Sequence, residues 1–384
     1  MHALMDKNKS IFNKEIIPLR NKIDRIDSQI LSLLAQRQGE VEKVVKLKKK
    51  HHIPVYHPAR EEDLISKLRL QAGKANLDPG FMEDLYRVIL RQSRVKQTDQ
   101  MENKGVRPGA GILVIGGGGQ MGQFFSLLFL KSGYKVNILT EHDWGRAEHL
   151  CRGIDLCLIC VPIEKTESII EQIAPFLEPT TILADLTSIK AGPLEKMLKF
   201  HPGPVAGLHP LFGPTSGSLD KQIIVVTPGR EPDDCQWLTE QLTLWGAVIV
   251  ESSAKEHDEI MEIVQALRHF ATFSFGQFLY EKHTRIERTL EFSSPIYRLE
   301  MGMVGRLFAQ DSSLYSEIIF ATKKRRNLLK DYIESLNNHL EMLEKNDKHL
   351  FIEKFNHIAK WFGPFSEQAL RESTFLINKL IERF

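Results

Sequence analysis

The sequence predicts a multidomain chain: an all-helical N-terminal part, a central doubly wound α/β part on a parallel sheet of Rossmann type, and an all-helical C-terminal part. Three observations carry this. From about Phe12 to Thr98, apolar residues recur at spacings of three and four with almost no strand signal. Between Ile112 and Val250, seven short β-rich runs alternate with helix-length segments. Beyond about Lys255, long apolar-periodic segments return. The boundaries read as 10–100, a linker at 101–110, then 111–255 and 256–384.

In the first part, Ile23, Ile26, Ile30, Leu33, Leu34, Val41, Val44, Val45 and Leu47 draw one apolar stripe along a long helix. His52-Ile-Pro54 ends it. Pro58 stands where a helix start tolerates proline, and Glu61 to Leu70 continue as a second helix. Asp78-Pro79 opens a third, running to about Gln97. Residues Thr98–Gly111, polar and glycine-containing, read as a linker.

The predicted strands are Ile112–Ile115, Val136–Leu139, Leu156–Val161, Thr181–Ala184, Val205–Gly207, Ile223–Val226 and Val248–Val250. The first ends in Gly116-Gly-Gly-Gly-Gln-Met-Gly122, which holds G-x-G-x-x-G at Gly117, Gly119 and Gly122. After a buried strand and before a helix beginning near Gln120, this arrangement suits a dinucleotide. Glycines let the backbone approach the pyrophosphate, and the helix N-terminus faces its charge. Gln120, Met121, Val161 and Pro162 belong to the same cofactor-facing edge. Glu141, following Thr140 at the end of the second strand, is the candidate for the ribose hydroxyls. No arginine stands beside it to welcome a 2′-phosphate, so NAD is expected rather than NADP. Cys157 and Cys160 form a C-x-x-C, but within a buried strand they read as small hydrophobes, and no second pair completes a structural metal site. No metal is expected. The later helical segments are Ile260–Leu279, Ser294–Phe308, Leu314–Leu343 and Phe351–Phe362.

Composition is ordinary for a globular chain of 384 residues, with 42% hydrophobic and 26% charged residues and a formal net charge of +2. That excludes any global signal for nucleic acid or a membrane surface. No apolar run reaches the ~18 residues of a spanning helix. Met1–Glu15 lacks the apolar core of a secretion signal, which favours the cytoplasm.

The glycine loop, His142-Asp-Trp144, Gly207-Leu-His-Pro-Leu-Phe-Gly213, Ala266-Leu-Arg-His-Phe270, Ser293-Ser-Pro-Ile-Tyr-Arg-Leu-Glu300 and Gly305-Arg-Leu-Phe-Ala-Gln-Asp311 resemble prephenate dehydrogenases. Their order and spacing, nearly end to end, resemble the bifunctional chorismate mutase/prephenate dehydrogenases of enteric-type bacteria. The resemblance implies oxidative decarboxylation of prephenate to 4-hydroxyphenylpyruvate with hydride passing to NAD. It implies that His209 accepts a hydrogen bond from the substrate's ring hydroxyl, a task that suits a neutral imidazole. Prephenate is a dianion, and carboxylates call for guanidinium forks. Arg306 matches the ring-carboxylate ligand and Arg298 a second site arginine. Ser188 is expected to orient His209. Lys190 either neutralises a carboxylate or is solvated. His257 and His269 also match family positions; helix or interface hydrogen bonding is the competing explanation for both. The C-terminal helices are where relatives dimerise, so a homodimer is expected.

The N-terminal helices carry a second pattern. Chorismate mutation is an intramolecular rearrangement that needs cations around two carboxylates and donors to the ether oxygen. Arg37 and Lys48, eleven residues apart, project from one helical face. Arg60 and Glu61 open the second helix, and Ser93 and Gln97 form an i, i+4 pair on the third. By resemblance to the all-helical chorismate mutases, Arg37 and Arg60 bind substrate, Ser93 lines the site, Lys48 and Gln97 donate to the ether oxygen, and Glu61 accepts from the ring hydroxyl. Arg20, seventeen residues before Arg37 and a quarter-circle round the helix, fits a partner subunit's site. His57 stands where related mutases carry aspartate, and takes no role. The competing accounts are that these helices form only a regulatory or dimerisation module, and that the α/β part oxidises arogenate or a β-hydroxy acid. Tyrosine, the pathway's end product, is the expected inhibitor.

Overall fold

A computed structural model describes residues 2–51, 57–101, 105–213 and 216–381. The N-terminal part is three helices: α1 (His2–His51), α2 (Pro58–Lys74) and α3 (Pro79–Met101), with α2 and α1 both packed on α3. Pro58 does sit in the first turn of α2. The segment His52-Ile-Pro54, expected to end α1, lies outside the described residues. α3 runs on to Met101 and takes the first residues of the expected linker, because Thr98-Asp-Gln-Met101 contains neither glycine nor proline to stop it. The apolar stripe of α1 stays uncovered within one chain: Ile23, Ile26, Ile30 and Leu33 are all at least half exposed.

The central part holds seven strands: β1 (Gly111–Ile115), β2 (Lys135–Leu139), β3 (Leu156–Ile159), β4 (Ile182–Asp185), β5 (Val205–Pro210), β6 (Ile223–Pro228) and β7 (Val248–Glu251). Their order in the sheet is β2-β1-β3-β4-β5-β6-β7. Crossovers through α4 (Gln120–Lys131), α5 (Ala147–Cys151), α6 (Ile163–Ile173) and α7 (Ala191–Phe200) keep β1 to β5 parallel. The expected parallel, doubly wound sheet carries one antiparallel pair. β6 runs antiparallel to β5, and β7, reached through α8 (Gln236–Leu244), is parallel to β6. The connection 211–222 has no α-helix among its described residues, and without a crossover helix a chain returns antiparallel.

Side chains alternate across the sheet and build two cores. Ile112, Val114, Leu156 and Leu158 meet Phe125 and Phe129 of α4 and Leu238 and Leu242 of α8. Leu113, Ile115, Cys157 and Ile159 meet Leu150, Ile170, Ile173 and Met197 on the opposite face. Cys157 is one of these core hydrophobes, and burial pushes its thiol, like that of Cys160, well above the ordinary range.

The C-terminal part begins with one continuous rod: α9 (Ala254–Met261), a π-helical segment at Glu262–Leu267, and α10 (Arg268–Glu281). It continues through α11 (Ile286–Glu291), α12 (Pro295–Phe308), α13 (Ser312–Phe320), α14 (Lys323–Glu344), α15 (Lys348–Phe362) and α16 (Pro364–Ile381). The single segment expected at Leu314–Leu343 is two helices. Thr322 breaks it, its hydroxyl accepting the Arg325 amide 3.1 Å away as the N-cap of α14. No helix among the described residues is long and apolar enough to cross a membrane.

Candidate active sites

The carboxyl ends of the parallel strands converge where the strand order reverses between β1 and β3, the place where doubly wound sheets hold ligands. The glycine loop leaves β1 there. Gly116 has a φ of +79°, and the buried Gly122 packs so closely that a Cβ would overlap the Gly116 carbonyl and lie 2.7 Å from Gly117 Cα. At Gly117 a Cβ would come within 2.6 Å of Ile138 on β2. α4 then starts with Gln120, Met121 and Gly122, with no acidic residue in its first turn. The cradle fits a dinucleotide pyrophosphate: at Gly116, Gly117 and Gly122 only glycine leaves the space, and the first amides of α4 have no partner within the helix. Val161 and Pro162 stand at the end of β3, Val161 in reach of a Cβ at Gly116. At the end of β2, Asp143 is occupied by Thr140, accepting from its amide at 3.0 Å and its hydroxyl at 2.6 Å, while Glu141 is exposed.

Deeper in the same cleft lies a chain of titratable groups. Asp258 Oδ1 and His257 Nδ1 are 2.8 Å apart, and His257 Nε2 and His209 Nδ1 are 2.8 Å apart. His209 Nε2 faces Gln265 Nε2 at 3.1 Å. The order of hydrogens follows from chemistry. A carboxylate only accepts, so His257 carries its proton on Nδ1 and presents a lone pair at Nε2. His209 therefore donates from Nδ1, and its Nε2 is left as an acceptor. Both rings are almost wholly buried. Burial, then the positive charge of Lys190 and the neighbouring His257 and Arg325, hold His209 well below the ordinary histidine value, so it is neutral at pH 7. Burial opposes the charge on Asp258, but hydrogen bonds from His257 and the amides of Ala191 and Lys190 outweigh it and keep the carboxyl below its usual range. Those two amides, at 3.0 and 2.8 Å, open α7, so one carboxylate caps a helix and orients a histidine.

Lys190 is neither solvated nor open to a ligand. It is fully buried, its Nζ donating to Asp185 and, at 2.8 Å, to the carbonyl of Leu208. Burial lowers its pKa against the opposing pull of Asp185. Ser188 is half-buried in the same loop, but both ring nitrogens of His209 face other partners, His257 and Gln265. His269 is buried edge-on to Tyr315, and burial and Arg268 push it down to about 4. On α12, Arg298 donates to the Leu290 carbonyl at 2.7 Å and Arg306 is exposed. Asp258 and Gln265 were not singled out in the sequence. Asp258 carried a usable signal, an acid directly following a candidate histidine; Gln265 carried none.

In the helical N-terminal part, Arg37 Nη1 donates to Ser93 Oγ at 2.8 Å, tying α1 to α3. Lys48 is half-buried, and desolvation lowers its pKa against the opposing charge of Glu61. Gln97 is half-buried one turn beyond Ser93. Arg60 lies at the surface against Asp63 at 2.9 Å, and Arg20 is exposed. Glu61 is gripped by Arg94, an arginine that sequence spacing did not single out. The helices thus bring Arg37, Lys48, Glu61, Ser93 and Gln97 to one region and leave Arg20 facing outward.

Residues 19–98 match the chorismate mutase type II family, 135–252 the nucleotide-binding domain of prephenate dehydrogenase, and 253–357 its dimerization domain. The chain is 42% identical over 371 residues to the T-protein of Enterobacter agglomerans, covering 95% of this chain and 97% of that protein. The chain belongs to the T-protein family. Against the T-protein of Haemophilus influenzae the identity is 39% over 371 residues, with 96% and 98% covered. In fold, it resembles the Aquifex aeolicus prephenate dehydrogenase solved with hydroxyphenyl propionate and NAD+, with a TM-score of 0.54 at 17% identity over 66% of this chain and 97% of that one. The chain is a bifunctional enzyme: it rearranges chorismate to prephenate and oxidatively decarboxylates prephenate to 4-hydroxyphenylpyruvate.

Proposed function

We propose that the hydrogen-bond chain Asp258–His257–His209 is the working centre of the dehydrogenase, and that its fixed order of hydrogens is what makes His209 the acceptor for the substrate hydroxyl. His209 Nε2 draws the proton of the ring hydroxyl as hydride leaves the same carbon. Loss of the ring carboxylate as CO2 then restores the aromatic ring, and the proton goes back to the phenol oxygen. The nicotinamide of NAD, when bound, supplies the hydride acceptor. Gly117, Gly119, Gln120, Met121 and Gly122 hold the pyrophosphate, Val161 and Pro162 flank it, and Glu141, exposed where Asp143 is occupied, takes the ribose hydroxyls. Arg306 and Arg298 bind the substrate carboxylates, with His269 alongside. Lys190 acts through Asp185 and the 186–190 loop as a positioning residue, and Ser188 of that loop faces substrate and cofactor. The observation that carries this reading is the pair of 2.8 Å contacts placing His257 between Asp258 and His209. Replacing His209 with asparagine tests it: kcat falls while prephenate binding holds, and an unchanged kcat removes His209 from the mechanism.

For the mutase, Arg37 and Arg60 bind the carboxylates, Lys48 and Gln97 donate to the ether oxygen, Glu61 accepts from the ring hydroxyl, Ser93 lines the site, and Arg20 serves the partner's site in a homodimer. The Arg37–Ser93 bond and the half-buried Lys48 beside Glu61 support this, as does the open apolar stripe of α1, which a second copy would cover. The 10–100, 111–255 and 256–384 parts act as mutase, cofactor-binding and substrate-binding dimer domains. The enzyme works in the cytoplasm, in keeping with its four free cysteines, and tyrosine, which shares the product's hydroxyphenyl group, inhibits it. NADH production from chorismate alone by the purified chain tests both activities together.

A further inference from the structure

Arg94 lies on α3 between Ser93 and Gln97, with its side chain almost out of water. Its Nη1 donates to both oxygens of Glu61, at 2.6 and 2.7 Å. Its Nε reaches both oxygens of Asp220, at 3.0 and 3.1 Å. Asp220 is not a residue of the mutase helices. It belongs to the turn between β5 and β6 of the dehydrogenase sheet, and its side chain is as buried as that of Arg94. The next residue, Lys221, lies in the left-handed region at φ +58°, and its N–H donates a hydrogen bond to the Gly246 carbonyl at 2.9 Å. Its Nζ lies 3.6 Å from Glu61 Oε2. Val45 of α1 packs on Leu244 and Val106 beside this junction, giving it an apolar floor.

Two charges of opposite sign from the dehydrogenase half therefore reach the carboxylate of Glu61, one through Arg94 and one directly. A buried guanidinium with a single carboxylate partner would follow that partner wherever it moved. Here Asp220 fixes the Nε edge, so the Nη1 end becomes a rigid strut against Glu61. Each Glu61 oxygen accepts one bond from Arg94 and keeps capacity for another. We propose that Asp220 is a positioning residue of the chorismate mutase: through Arg94 it sets the orientation of Glu61, so the mutase site is complete only when its helices are seated on the dehydrogenase sheet. The proposal rests on the reading of Glu61 as a mutase site residue.

A double-mutant cycle in the full-length enzyme tests it. Asp220→Ala lowers mutase kcat/KM about tenfold, the lower end of the effect of losing a charged hydrogen bond. Prephenate oxidation, assayed on the same protein, stays at its original rate and reports correct folding. In a Glu61→Gln background, Asp220→Ala brings no further loss, because the strut no longer has a carboxylate to orient. Should the alanine variant not fold, Asp220→Asn, which keeps the volume and one acceptor, enters the same cycle. An equal loss in both backgrounds makes Asp220 a mere domain clamp and overturns the proposal, as does parallel loss of both activities. If Glu61→Gln alone leaves the mutase at full rate, the assignment of Glu61 fails first and the proposal falls with it.

Discussion

Asp258→Asn changes one oxygen to nitrogen, and its effect follows from which neighbours can only donate. His257 Nδ1–H and the Lys190 amide both donate to Oδ1, each at 2.8 Å, and the Ala191 amide alone donates to Oδ2 at 3.0 Å, so the asparagine oxygen stays at Oδ1, where it serves two donors. The new NH2 then faces the Ala191 amide, donor against donor, and the tautomers of His257 and His209 stay as they were. What is lost is the negative charge beside His257, which stabilises the positive charge that develops on the rings as the substrate's proton is drawn off. Exchanging a charge-assisted hydrogen bond of about 1.5–3 kcal/mol for a neutral one of about 0.5–1.5 kcal/mol costs about 1–1.5 kcal/mol, a kcat roughly 5- to 15-fold lower. The cap on α7 weakens by about 1 kcal/mol, a few degrees in Tm. NADH formation from prephenate, read at saturating NAD, separates the effects: kcat drops while KM stays within about a factor of two of the original, since Asp258 makes no contact in the substrate's path. The mutase rate of the same sample is the internal control. A kcat within twofold of the parent, in a folded protein, would refute the role given to the Asp258 charge.

Because His209 is held well below 6.5, the acid limb of the dehydrogenase kcat/KM profile falls well under the ordinary histidine range; a limb centred at pH 6.5 contradicts the burial seen here. The same depressed values at His209 and at His269, about 4, make the unfolded chain bind more protons below pH 6.5, so stability is full above 6.5 and declines as pH falls toward 4, measurable as Tm against pH. Lys190→Met strands Asp185 as a buried charge and destabilises by about 3–5 kcal/mol in denaturant titration, whereas adding Asp185→Asn restores much of the loss. Gly122→Ala drives a methyl group into the Gly116 carbonyl and abolishes NAD binding by calorimetry while chorismate turnover persists. Arg37→Ala removes a half-buried cation bonded to Ser93 and cuts mutase kcat/KM by about 30-fold or more, with prephenate oxidation intact.

The parts of this fold that were legible in the sequence are those governed by local rules. Buried parallel strands are short β-branched runs, and the glycine loop is read from its residues because no side chain has room at Gly116, Gly117 or Gly122. What escaped was set by three-dimensional partners. The reversal of β6 goes with the absence of an α-helix among the described residues of 211–222, a gap that periodicity does not announce. The break at Thr322 was concealed by an apolar pattern that continues across it. Lys190 has a sequence setting that would suit a solvated cation, and only burial against Asp185 reveals its partner. Arg94 carries no signal in the sequence, because its partner Asp220 lies more than a hundred residues away. Site residues fixed by one element's spacing were readable; those fixed by a second domain were not.

The π-helical segment at Glu262–Leu267 fixes a rotational setting. A π turn holds one residue more than the α-helix around it, so everything after it lies about 100° behind the setting that the same number of residues would reach in an uninterrupted rod. On the near side of the segment stand His257 and Asp258; within it is Gln265, facing His209; on the far side His269 lies against Tyr315. Deleting one residue of the segment would let the rod close into ordinary α-helix and keep His269 facing the way it does. Deleting one residue of α9 between Asp258 and the segment would instead swing His269, with the whole helical part behind it, about a quarter-turn away from the cleft. Loss of a residue inside the segment that spares Gln265 should therefore be tolerated far better than loss of one from the adjoining α-helix, where a single-codon deletion should silence prephenate oxidation.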